Sequence, residues 1–169
     1  MRIVVEPHKQ EWEVQFAKAQ EEFQEMPMSI PILAIEHVES TSIPGLVAKP
    51  VFDIDIVVTR GILATTRAAM ASARYANIRE RGDSFLQPGY GPKGFAGAEG
   101  ETGEMRRNIY AVVEGSIALK NHRDLKQVPL KDDALREEYG EVKKRIAAWE
   151  VQDGDEYCRG KNEVMFKIL

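Results

Sequence analysis

A chain of 169 residues and 19.0 kDa, with 43% hydrophobic and 30% charged residues, has the make-up of one globular domain. At that length folding buries roughly two thirds of the unfolded surface, so neither a disulfide nor a structural metal is required for stability. The 23 Lys and Arg against 27 Asp and Glu leave a net charge of -4 and a pI of about 5.5, which excludes a general basic field for a duplex and makes bulk nucleic acid an unexpected partner.

No apolar run approaches the roughly 20 residues that would span a bilayer, so no membrane association is expected. Cys158 is the single cysteine, and the apolar start at Ile3 lasts three residues before Glu6-Pro7. No export signal is read there, and a reducing cytoplasmic setting is the expectation.

In chain order, Ile3 to Val5 reads as a short strand. Pro7 then opens a helix whose apolar stripe is Trp12, Phe16, Ala19 and Phe23 and which stops near Met26-Pro27. Ile32 to Val38 reads as a strand, followed by a turn-rich loop and a second strand from Val51 to Val58. Alternation places Val51, Asp53, Asp55 and Val57 on one face of that strand, and Phe52, Ile54, Ile56 and Val58 on the other.

Gly61 to Arg74 is alanine-rich and suits a helix, while Tyr75 to Leu86 mixes strand formers with charge. Gln87 to Gly103 holds six glycines and two prolines among 17 residues and reads as a flexible flap, with neither a P-loop nor a dinucleotide-binding glycine pattern. Met105 to Val113 reads as a further strand and Ser116 onward as a helix. Asp132 and Asp133 start a charged helix striped by Leu135, Tyr139, Val142, Ile146 and Trp149, which Asp153-Gly154 ends; Glu156 to Leu169 reads as one final helix. The expected architecture is one α+β domain over residues 1–169, with a small mixed or antiparallel sheet and helices mainly on one face.

The segment richest in chemistry runs His37-Val-Glu-Ser-Thr-Ser-Ile-Pro-Gly-Leu-Val-Ala-Lys49-Pro-Val-Phe-Asp53-Ile-Asp55. Hydroxyls and backbone N–H groups in a tight turn can cradle phosphate oxygens, and two carboxylates side by side on a strand can hold a hard divalent ion that bridges them. The same D-x-D pattern also fits a solvated sheet face.

This segment resembles the signature of the GrpB-type proteins, His-Val-Gly-Ser-Thr-Ser-x-Pro-Gly-Leu-x-Ala-Lys-Pro-x-x-Asp, and the likeness continues through Trp12 and Phe16, Glu114, Arg123-Asp124 before Pro129, Glu138-Tyr139 and Tyr157-x-x-x-Lys161. The resemblance implies a nucleotidyltransferase-like sheet. It implies phosphate hydrogen bonding by Ser40 with the turn hydroxyls Thr41 and Ser42, charge neutralisation by Lys49, and Mg²⁺ or Mn²⁺ held by Asp53 and Asp55. Family order further directs Arg106, Asn108 and Tyr110 toward the cleft and makes Arg123, oriented by Asp124, a clamp for an anionic substrate; Lys161 can reach the same cleft or lay its stem on Tyr157.

Two departures qualify this. Glu39 stands where the pattern has glycine, adding a side chain and a negative charge where a polyphosphate backbone would need clearance. Asn108 and Tyr110 stand where the family tends to have His-x-His, and neither is a good Mg²⁺ ligand. Glu39 therefore either completes a three-carboxylate catalytic cluster with Asp53 and Asp55, or accompanies a cleft that binds without catalysis, or points to solvent. His37, at the end of its strand, is either a proton carrier or a residue hydrogen-bonded in place.

The resulting expectation is a divalent-metal-dependent transferase acting on a small anionic or nucleotide-derived substrate. The alternative is a catalytically degenerate module on the same fold that binds a small ligand or a protein. The transferred group and the oligomeric state are not legible.

Overall fold

The central strand is β2, Val51–Val58, flanked by β1, Ala34–Val38, and β4, Arg106–Val113, in a computed structural model that describes residues 3–25, 30–72, 95–96, 105–149 and 154–169. With the two-residue β3, Phe95–Ala96, the sheet runs β1-β2-β4-β3. The β1–β2 and β3–β4 pairs are antiparallel and β2–β4 is parallel, so the sheet is mixed, as expected of this α+β chain. A parallel pair needs a crossover, and the chain between β2 and β4 supplies it, starting with helix α2, Leu63–Ser72.

The register fixes the two faces of the sheet. Phe52, Ile54, Ile56 and Val58 share a core with Ile109 of β4, with Trp12, Ala19 and Phe23 of α1, Glu11–Glu25, and with Met70 of α2. Complete burial of each large apolar side chain there stabilises the fold by roughly 1.5–3 kcal/mol before cavity effects. The opposite face carries Glu36 and Val38 of β1, Asp53 and Asp55 of β2, and Asn108 and Tyr110 of β4, paired across the strands as Glu36↔Asp55↔Tyr110 and Val38↔Asp53↔Asn108.

Helices were expected mainly on one face, but α3, Ile117–Lys131, also covers this second, carboxylate-bearing face. It packs Leu119 on Val57 and Val112 and supplies His122, Arg123 and Lys126 to the polar groups beneath. The basic residues of α3 make that polar face coverable.

Helices α4, Asp133–Ala147, α5, Gly154–Gly160, and α6, Asn162–Ile168, complete the fold. Ile43 and Leu46 of the loop, Leu125 of α3, Tyr139 of α4, and Val164, Met165 and Ile168 of α6 form a second core, which fixes the loop after β1 between the sheet and the C-terminal helices. Ser116 caps α3 and Asp132 caps α4 through side-chain oxygens that accept from Leu119 N and Leu135 N.

Three local differences from the sequence reading have physical causes. Residues 3–5 form no strand: a single bridge joins Glu6 to Ala48, and Pro50, the next position that would donate to the ladder opposite Val4, lacks an N–H. The last helix is two helices, broken at Lys161 after Gly160, which lies so close to α4 that a Cβ there would meet Ile146 at 2.7 Å. Trp149 lies beyond the end of α4. The readings at Tyr75 to Leu86 and, apart from Phe95–Ala96, at Gln87 to Gly103 lie outside the described residues, as does Asp153.

Candidate functional site

The loop after β1 is built around a backbone conformation that glycine favours. Glu39 has φ 60° and ψ -165°, in a region where a Cβ collides with its own backbone. The turn that follows, Ser40–Ser42, holds it there: Ser42 donates from its N–H and its hydroxyl to the Glu39 carbonyl, at 3.1 and 2.6 Å. Thr41 is buried with its hydroxyl 2.9 Å from His37 Nε2. Two of the three hydroxyls expected to cradle phosphate are thus engaged in the turn itself, which leaves Ser40 as its half-buried hydroxyl.

His37 is hydrogen-bonded in place. It stacks on Phe16 at 4.7 Å and meets Phe52 edge-on, and burial, assisted by the charge of Lys126, lowers its pKa to about 3. It stays neutral across the physiological range. Lys126 meanwhile donates to the His37 carbonyl at 2.9 Å and so ties α3 to the end of β1.

Asp53 and Asp55 lie on one face of β2, as the alternation predicts, but their surroundings differ. Asp55 is fully buried, and His122 Nδ1 lies 3.0 and 2.9 Å from its two oxygens. Burial works against the charged imidazole, but the Asp55 carboxylate outweighs it, with help from Glu39 and Asp53, and His122 titrates near 9. At neutral pH this is a buried ion pair between β2 and α3.

Asp53 is half-buried, and its Oδ1 accepts from Asn108 Nδ2 and Tyr110 OH, each at 2.9 Å. Burial and the neighbouring Glu39 charge raise its pKa to about 6, against the lowering effect of those two hydrogen bonds. The charge of Glu39, which is half-buried, also reaches Asp55, Tyr110, His122, Lys143 and Lys161.

The donor set does not fit the expected Mg²⁺ or Mn²⁺. Both Asp55 oxygens face an imidazolium, Asp53 Oδ1 already accepts two hydrogen bonds, and among the described residues no three His, Cys, Asp or Glu side chains are grouped to hold an ion. A hard divalent cation takes about six oxygen ligands, several of them able to approach without a competing cation.

Lys49, Arg106, Lys143 and Lys161 lie close enough for their charges to act on one another or on Asp53. Lys49 is half-buried, and burial together with the charge of Arg106 lowers its pKa, while Asp53 pulls it back. Arg106 is exposed at the start of β4, on the Asn108 and Tyr110 face. Lys143 of α4 is 1% exposed, donates to the Val47 carbonyl at 3.3 Å and sits 4.1 Å over the Tyr139 ring. Burial, with Lys161 adding, holds its pKa well below the usual lysine range, while Glu39 and Asp53 act in the opposite sense.

Lys161 lies half-buried with its ammonium 5.0 Å over the Tyr157 ring, and its charge is felt by the Tyr139 hydroxyl, which is buried without a hydrogen-bond partner among the described residues. None of Lys49, Lys143 and Lys161 has a carboxylate within ion-pair distance among the described residues. The sequence reading missed Lys143, although its place four residues after Tyr139 puts a lysine on the apolar stripe of α4.

Arg123 sits apart from that group. It makes a two-pronged contact with Glu36, at 2.5 and 3.1 Å, and lies 3.6 Å from Glu114, while Asp124 pairs with Lys120 instead of orienting Arg123. Its guanidinium is thereby committed to two carboxylates of the sheet.

Comparison with known proteins agrees with this architecture. The chain is 32% identical to UPF0157 protein PA4798 of Pseudomonas aeruginosa over 99% of its own length and 66% of that protein. It is 28% identical to UPF0157 protein YqkA of Bacillus subtilis over 78% of its length and 36% of that protein, so it spans about a third to two thirds of these relatives. The crystal structure of the conserved protein GrpB from Enterococcus faecalis superposes with a TM-score of 0.68 at 18% identity, covering 97% of this chain and 98% of that one, which is a likeness of fold. The sequence matches the GrpB protein family over residues 2–169, and the chain therefore belongs to that family.

Proposed function

We propose that this domain binds a small anion, a phosphate- or carboxylate-bearing molecule, in the cleft bounded by Glu39 and Ser40, Lys49, Asp53, Arg106, Lys143 and Lys161. The observation that carries the reading is the group of Lys49, Lys143 and Lys161, wholly or partly buried with no carboxylate within ion-pair distance among the described residues. Desolvating a cation without a counter-charge is costly, and an incoming anion removes that cost. The buried Tyr139 hydroxyl, which has no hydrogen-bond partner among the described residues, adds a donor near Lys161.

Asp53, with its pKa raised to about 6, is poised to take or give a proton at the bound molecule. This favours acid–base group transfer or hydrolysis over passive binding, and Asp53 would be the group that exchanges the proton. Glu39 limits the size and charge of the anion, because a carboxylate at the turn repels a long polyphosphate.

Calorimetric titration with inorganic phosphate and pyrophosphate tests this. A charge-assisted hydrogen bond contributes about 1.5–3 kcal/mol, so Lys161→Ala and Lys49→Ala should each weaken binding by about tenfold or more. Absence of binding by either anion, or binding that the double variant leaves unchanged, refutes the proposal.

A further inference from the structure

We infer that the His122 ring nitrogen takes up both Asp55 oxygens where a divalent ion would otherwise sit, so that the Asp53/Asp55 pair operates without metal. Asp55 is fully buried, and a carboxylate without a counter-charge would not persist there ionised. The side chain that meets it is an imidazole 5% exposed, reaching from α3 across 67 positions of sequence to place Nδ1 within 3.0 Å of both carboxylate oxygens.

The same ring packs against Tyr110, centroid to centroid 5.5 Å, and Tyr110 donates to Asp53. One connected set, His122 to Asp55 and Tyr110 to Asp53, thus occupies oxygens of both aspartates that an ion would need. A divalent cation at Asp55 would have to displace the ring as well as meet a desolvation penalty. The arrangement also fixes α3 on the sheet, a structural task that an exchangeable ion would perform only when bound.

The test uses Mn²⁺ alone, with the full chain, and reads bound against free ion by electron paramagnetic resonance. This needs no anion, so its outcome is separate from that of the anion proposal. Wild type should leave Mn²⁺ free. His122→Ala, which frees both Asp55 oxygens and clears space beside them, should bind Mn²⁺ at least about tenfold more tightly than wild type, and His122→Ala/Asp55→Asn should lose that gain.

His122→Ser, too short to reach both Asp55 oxygens, serves as a second variant if the alanine leaves the chain unfolded. The inference is overturned if wild type binds Mn²⁺ at a site that Asp53→Asn or Asp55→Asn removes, or if the folded His122 variants bind it no better than wild type. The wild-type measurement alone is able to refute it.

Discussion

Replacing Glu39 by glycine should stabilise the protein. Its φ of 60° with ψ of -165° lies where a side chain costs of order 1–3 kcal/mol, held by the two Ser42 hydrogen bonds to the Glu39 carbonyl. Glycine removes that strain but frees the unfolded chain by roughly 0.5–1 kcal/mol, so the net gain is about 1 kcal/mol. For a domain of this size that is about 2–4 °C in Tm.

Glu39→Ala separates backbone from charge, since alanine keeps the strained Cβ and loses the carboxylate. Urea melts of the three proteins in anion-poor buffer should rank Glu39→Gly above wild type and above Glu39→Ala. If glycine and alanine are equally stable, the gain comes from deleting a charge beside Asp53, and the argument from backbone strain is refuted. Retention of a strained glutamate in a turn suited to glycine is what a functional carboxylate would require.

The remaining predictions concern pH and packing. His37, depressed to about 3, costs stability as pH falls below 6.5, although Asp53, raised to about 6, offsets this between about 3.8 and 6. His122 is held near 9, so its contribution is complete below 6.5 and is lost as pH rises through 9, while the lowered pKa of Lys143 acts in the opposite sense over the alkaline range. The difference in urea stability between wild type and Asp55→Asn isolates the His122 contribution and should fall by up to about 1.4 kcal/mol per pH unit between 6.5 and 9; a constant difference would refute it. Gly160→Ala should destabilise by about 1–3 kcal/mol by forcing Ile146 aside between α5 and α4; a Tm equal to wild type would show that the two helices are not in close contact.

Much of this was legible before folding. The stripe of Trp12, Phe16, Ala19 and Phe23 gave α1, and the alternation in Val51 to Val58 placed both aspartates on one face, because period and burial act within a single element. The cleft-facing Asn108 and Tyr110 are the partners of Asp53, but the partner of Asp55 was not legible. The seat of His122 depends on how α3 lies across the sheet, which no local pattern encodes, and the letters His-Arg-Asp gave no hint that the histidine faces Asp55 while the arginine faces Glu36. Thr41 and Ser42 were read as ligand donors because a hydroxyl's direction follows from turn geometry and not from residue type.

The most direct measurement is the affinity for inorganic phosphate titrated into the wild-type chain, once after metal is stripped on a chelating resin and once with millimolar Mg²⁺. The account predicts binding to the metal-stripped chain with an affinity within a few-fold of that in Mg²⁺. Binding that requires Mg²⁺ and is absent from the metal-stripped chain would contradict it.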